Sequence, residues 1–367
     1  MLSIVFILAL VLWHIRTAVA QNPSVIDSLE IDSPTTGFSI VPDSSRIFLL
    51  YNRFDGSTGP LLVERYENNS FVPYPSNAWN SFESTRDAAN TFVNVAAQRI
   101  GPDGQLWVLD NGLASNGTLH PAGAKLVTID ISTNKVTRIY PFADLIAPSS
   151  LLDDFRFNRR IAYLTDAGAA SIIVIDLVTG TGRRLLENQL ALKQYMPTSG
   201  EGSLMRNSTG GFNFIYVDQL EVSPDGQYLY FQPTAGGMSR IPTKYLNQAL
   251  RNTSFPDIEL EKWIQPFSHT PSTGSTAIDA RGNIYLSDTD RQNILRISPD
   301  GKSEIFVHDS RLLWVDGMWL DGRNRLWLPA AQFNRAMQWH NGTSQIEKPI
   351  RIFTVEVDVG PSPLDHA

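Results

Sequence analysis

The chain has 367 residues, a formal net charge of −7, 42% hydrophobic and 10% aromatic residues, and no cysteine. The acidic charge is spread without a basic block, which argues against nucleic acid or an anionic membrane surface as a partner. The lack of cysteine excludes disulfides, and a chain of this length can bury enough apolar surface to fold without them.

The first twenty residues predict a secretory signal peptide. The apolar run 2–13 is too short for an ordinary membrane span, and the small residues Ala18 and Ala20 follow it. Cleavage before Gln21 would leave one mature domain, residues 21–367, secreted or in the lumen of the secretory pathway. No Lys or Arg precedes the apolar run, so an uncleaved anchor is the alternative.

Six times along the chain, a polar turn leads into a short hydrophobic strand with an aromatic residue at its second position. These aromatic residues are Phe48, Trp107, Tyr163, Tyr230, Tyr285 and Trp327. Another hydrophobic strand follows each of them, with no long amphipathic helix between. Hairpin repeats of roughly 40 to 60 residues are typical of propeller blades. The sequence therefore predicts an all-β fold, a six-bladed β-propeller.

The two ends of this domain are predicted to close the ring. A strand at 351–357 would pair with one near 24–31 in a shared blade, since a propeller leaves no blade incomplete. One short helix is expected at 243–252 and a long loop at 186–212. The last residues, 361–367, read as a disordered tail.

Five Asn-x-Ser/Thr sequons support secretion and predict N-glycosylation, because each falls in an expected loop or strand end. They begin at Asn68, Asn116, Asn207, Asn252 and Asn341.

A propeller arranges the starts of its innermost strands around a central channel. Counting back from the polar turns places these starts near Gly37, Ala96, 152–154, Asp218, 274–275 and Asp316. Asp218 and Asp316 stand at similar registers, so both are predicted to face the channel as candidate catalytic acids. The alternative is a structural role, in which they bind backbone amides of the strand tops.

The channel itself is predicted to be an apolar pocket with a few polar groups, suited to a hydrophobic small molecule. His269 is a third candidate acid. The predicted ligand contacts are Asn94, Ser275, Thr276, Trp314, Tyr216 and Phe82. For each aromatic residue, packing within a blade is the alternative.

The sequence lacks the residue patterns of several other common kinds of catalytic or binding site. The mature chain has no zinc-type histidine pair, no Gly-x-Ser-x-Gly elbow and no glycine-rich phosphate loop. The histidines, His366 among them, read as ordinary surface residues. No metal and no cofactor is expected, and the oligomeric state stays open.

Several blade motifs resemble those of the major royal jelly protein and yellow group, which are secreted six-bladed propellers distantly related to calcium-dependent gluconolactonases. The resemblance is carried by the segments 161–168 with 173–180, 106–112, 217–230 and 275–283. The lack of cysteine departs from the insect members and suggests a fungal branch. That branch is associated with tropolonic sesquiterpenoid biosynthesis, where hetero-Diels-Alderases join a tropolone quinone methide to a humulene-type olefin.

The resemblance implies three possible functions. The first is a hetero-Diels-Alderase-like pericyclase that joins polyketide and terpenoid partners in its pocket, with Asp316 or His269 as the acid. The second is a calcium-dependent lactonase, whose Asp-Gly-Met motif matches 316–318 and whose middle-blade Asn would be replaced by Asp218. The first-blade Glu of that metal site is missing, since 35–37 is Thr-Thr-Gly. The third is a non-enzymatic carrier of small molecules.

Overall fold

The computed structural model describes residues 23–42, 44, 46–66, 68, 70–83 and 87–366. The predicted signal peptide lies outside these residues. In chain order the strands are β1 (Ile26–Ile31), β2 (Thr35–Ile40), β3 (Ile47–Tyr51), β4 (Leu62–Arg65), β5 (Phe71–Pro73), β6 (Val95–Ile100), β7 (Leu106–Leu113), β8 (Leu119–Asp130), β9 (Lys135–Pro141), β10 (Leu152–Asn158), β11 (Ile161–Asp166), β12 (Ser171–Asp176), β13 (Gly182–Leu185), β14 (Ser199–Gly200), β15 (Ser203–Leu204), β16 (Val217–Val222), β17 (Tyr228–Pro233), β18 (Met238–Pro242), β19 (Gln265–Ser268), β20 (Thr276–Ile278), β21 (Ile284–Asp288), β22 (Asn293–Ile297), β23 (Ser303–His308), β24 (Trp319–Leu320), β25 (Arg325–Pro329) and β26 (Ile350–Glu356).

In the described residues, all of these strands except the β14–β15 pair form six four-stranded antiparallel sheets, which are the blades of a propeller. Blades 1 to 5 are β2–β5, β6–β9, β10–β13, β16–β19 and β20–β23, and blade 6 consists of β24, β25, β26 and β1. The prediction of a six-bladed propeller is confirmed. Each of the six aromatic markers lies in the second strand of its blade, where it is buried.

The ring closes through a strand from each end of the domain. Strand β1 pairs antiparallel with β26, so that Glu30 lies opposite Arg351 and Ile31 opposite Ile350. The hydroxyl groups of Ser28 and Thr354 form a hydrogen bond of 2.7 Å across this pair. Closure by a shared blade is therefore confirmed, and it removes the exposed sheet edge that an open ring would carry.

Helices are short and peripheral in the described residues. The predicted helix is α1 (Thr243–Arg251), and α2 (Ile258–Glu261) follows it. Single 3-10 turns occupy Ala88–Asn90, Leu190–Leu192, Phe333–Arg335 and Met337–Trp339. Within the described residues, the helices are all too short or too polar to span a membrane. The expected loop at 186–212 is mostly irregular and contains the small hairpin β14–β15.

The segment 361–366 corrects one expectation. It was predicted to be a disordered tail, but Ser362, Asp365 and His366 are all buried. Leu364 packs against the hydrophobic core that blades 3 and 4 share. The composition of this segment is polar and rich in proline, so it gave no sign of partners that lie far away in the sequence.

Candidate functional site

A cavity of about 280 Å³ lies at the propeller axis, at the end where the innermost strands begin. All six blades contribute to its wall, including the inner-strand starts that the sequence predicted. Its polar lining comprises Thr36, Asn52, Asn94, Gln98, Arg99, Asn111, Asp153, Asp154, Asp218, Gln219, Ser275, Asp316 and Gln338.

Local irregularities in the innermost strands aim several of these side chains at the axis. The pairing of the first two strands shifts register between Val95 and Ala97, between Leu152 and Phe155, and between Val217 and Gln219. Such a bulge inserts an unpaired residue and redirects its side chain. The residues inside these bulges, Asp153, Asp154 and Asp218 among them, line the cavity.

Three carboxyl groups, those of Asp153, Asp218 and Asp316, form what we call the carboxyl cluster. Asp218 Oδ2 accepts hydrogen bonds from Thr234 Oγ1 at 2.5 Å and from Gln219 Nε2 at 2.6 Å. Asp153 lies within hydrogen-bonding contact of Asp218. Since two ionised carboxylates cannot form that bond, the pair shares a proton.

Burial and mutual repulsion raise the pKa values of this cluster. Burial, and then the charge of Asp218, raise the pKa of Asp153 well above its usual range. Burial and the charge of Asp218 also raise the pKa of Asp316. The backbone N–H of Gly317, which donates to Asp316 Oδ1 at 2.8 Å, acts in the opposite direction and lowers this pKa. Burial also raises the pKa of Asp218. The cavity therefore favours the protonated form of these carboxyl groups, and a protonated carboxyl group can donate a hydrogen bond.

The fourth acid, Asp154, is different because it is paired with an arginine. Asp154 Oδ2 accepts from Arg156 Nη1 at 2.6 Å. Arg156 is fully enclosed and binds Glu221 on blade 4 through two further hydrogen bonds of 3.0 and 2.9 Å. Below the carboxyl cluster there is thus a buried ion-pair network that compensates the charge of Asp154.

Aromatic side chains lie near the open end of the cavity, where Phe54 and Phe333 are half-buried and Trp314 is buried. Phe333 lies 4.7 Å from Phe54 and 5.2 Å from Trp314 between ring centroids, and we call these three residues the aromatic rim. Trp314 Nε1 donates to Asp316 Oδ2 at 3.3 Å and so joins the rim to the carboxyl cluster. The predicted pocket is present at the axis, and apolar side chains such as Phe38, Leu151 and Met318 line it, but it also contains more acidic and amide side chains than the sequence suggested.

Five residues of the predicted site lie at the cavity wall. They are Asn94, Asp218, Ser275, Trp314 and Asp316. The backbone N–H of Asn94 donates to Asp110 Oδ1 at 3.0 Å, which fixes its strand start. Ser275 Oγ accepts from the backbone N–H of Met318 at 3.0 Å and so ties blade 5 to blade 6.

The other four predicted residues lie away from the cavity, and this corrects the sequence-based placement. Thr276 is one residue too far along its strand, so its hydroxyl points below the cavity and donates to Glu221 Oε1 at 2.9 Å. His269 belongs to a separate surface depression beside Tyr195. Tyr216 packs against the core shared by blades 3 and 4, and Phe82 contacts His120 edge-on at 5.1 Å.

The sequence reasoning missed several residues of the site. Asp153 and Asp154 lay in an anticipated strand start, but nothing in the sequence showed that a bulge turns both toward the axis. Phe54 and Phe333 come from loops that follow the second strands. Asp365, the partner of Arg99, and Glu221, a partner of Arg156, are too distant in sequence for any local pattern to indicate.

A family model describing the major royal jelly proteins matches residues 94–360, which is most of the chain. The chain belongs to the major royal jelly protein family. No curated protein matches its sequence.

Solved structures with the same fold include enzymes and a calcium-binding protein. Regucalcin from Agrobacterium tumefaciens, described as a calcium-binding protein, is 13% identical at a TM-score of 0.54, over 91% of this chain and 97% of that one. A gluconolactonase from Xanthomonas campestris is 10% identical at a TM-score of 0.53, over 91% and 90%. A luciferin-regenerating enzyme is 11% identical at a TM-score of 0.53, over 93% and 97%. Identities this low show the shared propeller fold alone.

The cavity of this royal jelly family propeller does not fit a calcium site. Within the described ranges, no three acids, histidines or cysteines are arranged to hold a metal ion. Asp154 is bound by Arg156, and Asp218 Oδ2 already accepts two hydrogen bonds. Thr36 and Gly37 line the blade 1 side, where a carboxylate ligand would be needed. Calcium prefers about six to eight oxygen ligands, several of them charged.

Proposed function

We propose that the cavity binds an oxygenated small molecule and promotes a bond-forming, non-hydrolytic reaction by donating hydrogen bonds to it. The reaction class that we propose is a hetero-Diels-Alder cycloaddition of the kind found in tropolonic sesquiterpenoid biosynthesis. The observation that carries this proposal is the carboxyl cluster, whose members have raised pKa values and face one cavity.

A neutral carboxylic acid can act where no nucleophile is available. A hydrogen bond from Asp316 or Asp153 to a ring carbonyl oxygen would stabilise the negative charge that builds on that oxygen in the transition state. The same acid could form the reactive diene from a hydroxymethyl precursor. Its proton would pass to the departing hydroxyl group, the C–O bond would break, and the ring hydroxyl would return a proton to the carboxylate.

The aromatic rim would supply the second requirement, which is orientation. A cavity of about 280 Å³ is at the small end for ligand sites, so it would hold the oxygenated ring of one partner. The apolar second partner would lie against Phe54, Trp314 and Phe333 at the open end. Holding two reactants in one geometry can lower a barrier by about 7 to 11 kcal/mol without covalent catalysis.

The test is a product assay with purified protein, a hydroxymethyl tropolone and a humulene-type olefin, followed by chiral chromatography. We expect one stereoisomer to form faster than in buffer, and Asp316→Asn to slow its formation by about 10- to 1,000-fold. Asp144→Asn, at an exposed position, is the matched control and should leave the rate unchanged. Equal rates and the same isomer mixture with and without protein would reject the proposal.

A calcium-dependent lactonase is the alternative that the family resemblance implies, but the carboxyl groups around the cavity do not form a calcium site. Hydrolysis of a small lactone that requires calcium and stops with a chelator would contradict this reading of the cavity. A carrier is the third candidate, and it would retain a ligand tightly without converting it.

Secretion and N-glycosylation are part of the proposal. The asparagines of all five sequons are exposed, as an oligosaccharide requires. In the sequon at Asn207, the side-chain Oδ1 accepts from the backbone N–H of Thr209 at 3.1 Å. Expression in a eukaryotic secretory host should give a protein whose mass falls on treatment with an N-glycosidase, and an unchanged mass would refute glycosylation.

A further inference from the structure

The segment 361–366, which we call the tail segment, crosses the face of the propeller opposite the cavity opening. It attaches first to blade 5, where the backbone N–H of Ser362 donates to Ile278 O at 3.2 Å. The backbone N–H of Ala280 donates to Gly360 O at 2.9 Å just before it. The chain then turns inward, and the side chains of Asp365 and His366 are buried at the axis.

Asp365 binds the arginines of two other blades. Arg99 of blade 2, which lines the cavity, donates to both oxygens of Asp365 at 3.1 and 2.6 Å. Arg156 of blade 3 approaches the same carboxylate at 3.9 Å while it binds Asp154 and Glu221. Although burial opposes ionisation, Arg99 and His366 hold the pKa of Asp365 well below its usual range.

His366 connects this network to blade 6. Its Nδ1 lies 2.8 Å from Asp365 Oδ2, and its Nε2 lies 2.6 Å from Leu320 O. Both ring nitrogens therefore face an oxygen atom. The ring also stacks on Trp319, with centroids 3.8 Å apart and planes inclined by 16°.

We propose that the tail segment is a plug that closes the far end of the channel and holds Arg99 and Arg156 in place beneath the cavity. Asp365 and His366 are then positioning residues, since neither lines the cavity. The cavity consequently has a single entrance, at the aromatic rim, and a ligand enters and leaves on that side only. Closure by the tail segment does not depend on which reaction the cavity performs.

The absence of cysteine allows a direct test by thiol labelling. Thr276→Cys places a reporter just above the plug, because Thr276 is buried and hydrogen-bonded to Glu221 below the cavity. Ser275→Cys, one residue earlier, places a reporter on the cavity wall. Ser171→Cys reports global unfolding, because Ser171 is fully buried in blade 3 and its hydroxyl has no partner.

Each cysteine variant would be made in three backgrounds. These are the protein with an intact tail segment, the protein with residues 361–367 deleted, and the double variant Asp365→Asn with His366→Ala. With iodoacetamide, we expect Thr276→Cys to react at least about tenfold faster in both altered backgrounds, while Ser275→Cys and Ser171→Cys keep their rates. Asp358→Asn, at an exposed site near the tail segment, should change none of the rates.

Two results would overturn the proposal. One is an unchanged rate at Thr276→Cys, which would mean that the tail segment does not close the channel. The other is an equal acceleration at Ser171→Cys or Ser275→Cys, which would mean that the tail segment only stabilises the whole fold. If the deleted protein does not fold, the side-chain variants alone decide between these outcomes.

Discussion

The carboxyl cluster should cost the protein stability at neutral pH, and Asp153→Asn tests this directly. Burial and the neighbouring charge of Asp218 raise the pKa of Asp153, so the native state retains a proton that the unfolded state has lost. Holding a proton at pH 7 on a group of ordinary pKa, about 3.9, costs at most about 4 kcal/mol, at about 1.36 kcal/mol per pH unit. An asparagine at position 153 avoids that cost and can still donate to Asp218.

The sign of the pH dependence follows from proton binding. Between pH 4 and the raised pKa, the native wild-type protein binds more protons than the unfolded chain, so its free energy of unfolding falls as the pH rises through that window. The variant lacks this term. We therefore expect Asp153→Asn to match the wild type near pH 4 and to be more stable by about 1 to 4 kcal/mol at pH 7.

The assay is urea denaturation at several pH values between 4 and 8, followed by tryptophan fluorescence. Asp144→Asn makes the same substitution at an exposed position and should show a difference of less than about 0.5 kcal/mol at every pH. A variant that is less stable than the wild type at pH 7, or a difference that does not grow with pH, would refute the shared proton and the reasoning built on it.

Three further predictions concern packing and closure. Arg156→Met should lower the free energy of unfolding by about 3 to 5 kcal/mol, because it leaves buried carboxylates unpaired. Arg296 is more exposed, so Arg296→Met should lower the free energy of unfolding by less than about 1 kcal/mol, as measured by urea denaturation of both variants. Gly317→Ala should lower the melting temperature far more than Gly342→Ala. Both glycines have positive φ, but only a Cβ at position 317 would clash, at 2.3 Å from Thr36 O. Similar losses of melting temperature in the two variants would contradict this clash. Deletion of 23–31 should produce aggregates in size-exclusion chromatography, because it exposes an edge of β26; a stable monomer would show that closure is dispensable.

The sequence was sufficient for the fold because the propeller is built from local hairpins. Each blade repeats a turn and a strand marked by an aromatic residue such as Trp107, and neighbouring strands pair with each other. Even the long-range closure could be anticipated, because completing the last blade of a ring requires a strand from the other end of the domain to pair with the strand at 351–357.

The site was less predictable because it depends on shifts of one or two residues. A bulge decides whether Asp153 faces the axis, and the register error that put Thr276 in the cavity is a single residue. His269 was misplaced because its loop leads to the outer surface rather than the rim. The ion pair between Arg99 and Asp365 joins residues 266 positions apart, which no local pattern records.

The shared blade also has a consequence for synthesis on the ribosome. Ser28 and its partner Thr354 are 326 positions apart, so β1 emerges long before β26 exists to pair with it. At roughly 5 to 20 residues per second, the first strand waits about 16 to 65 seconds as an unsatisfied edge. The ring is therefore sealed last, and during that interval the nascent chain has most need of a chaperone or a rapid transfer into a protected compartment.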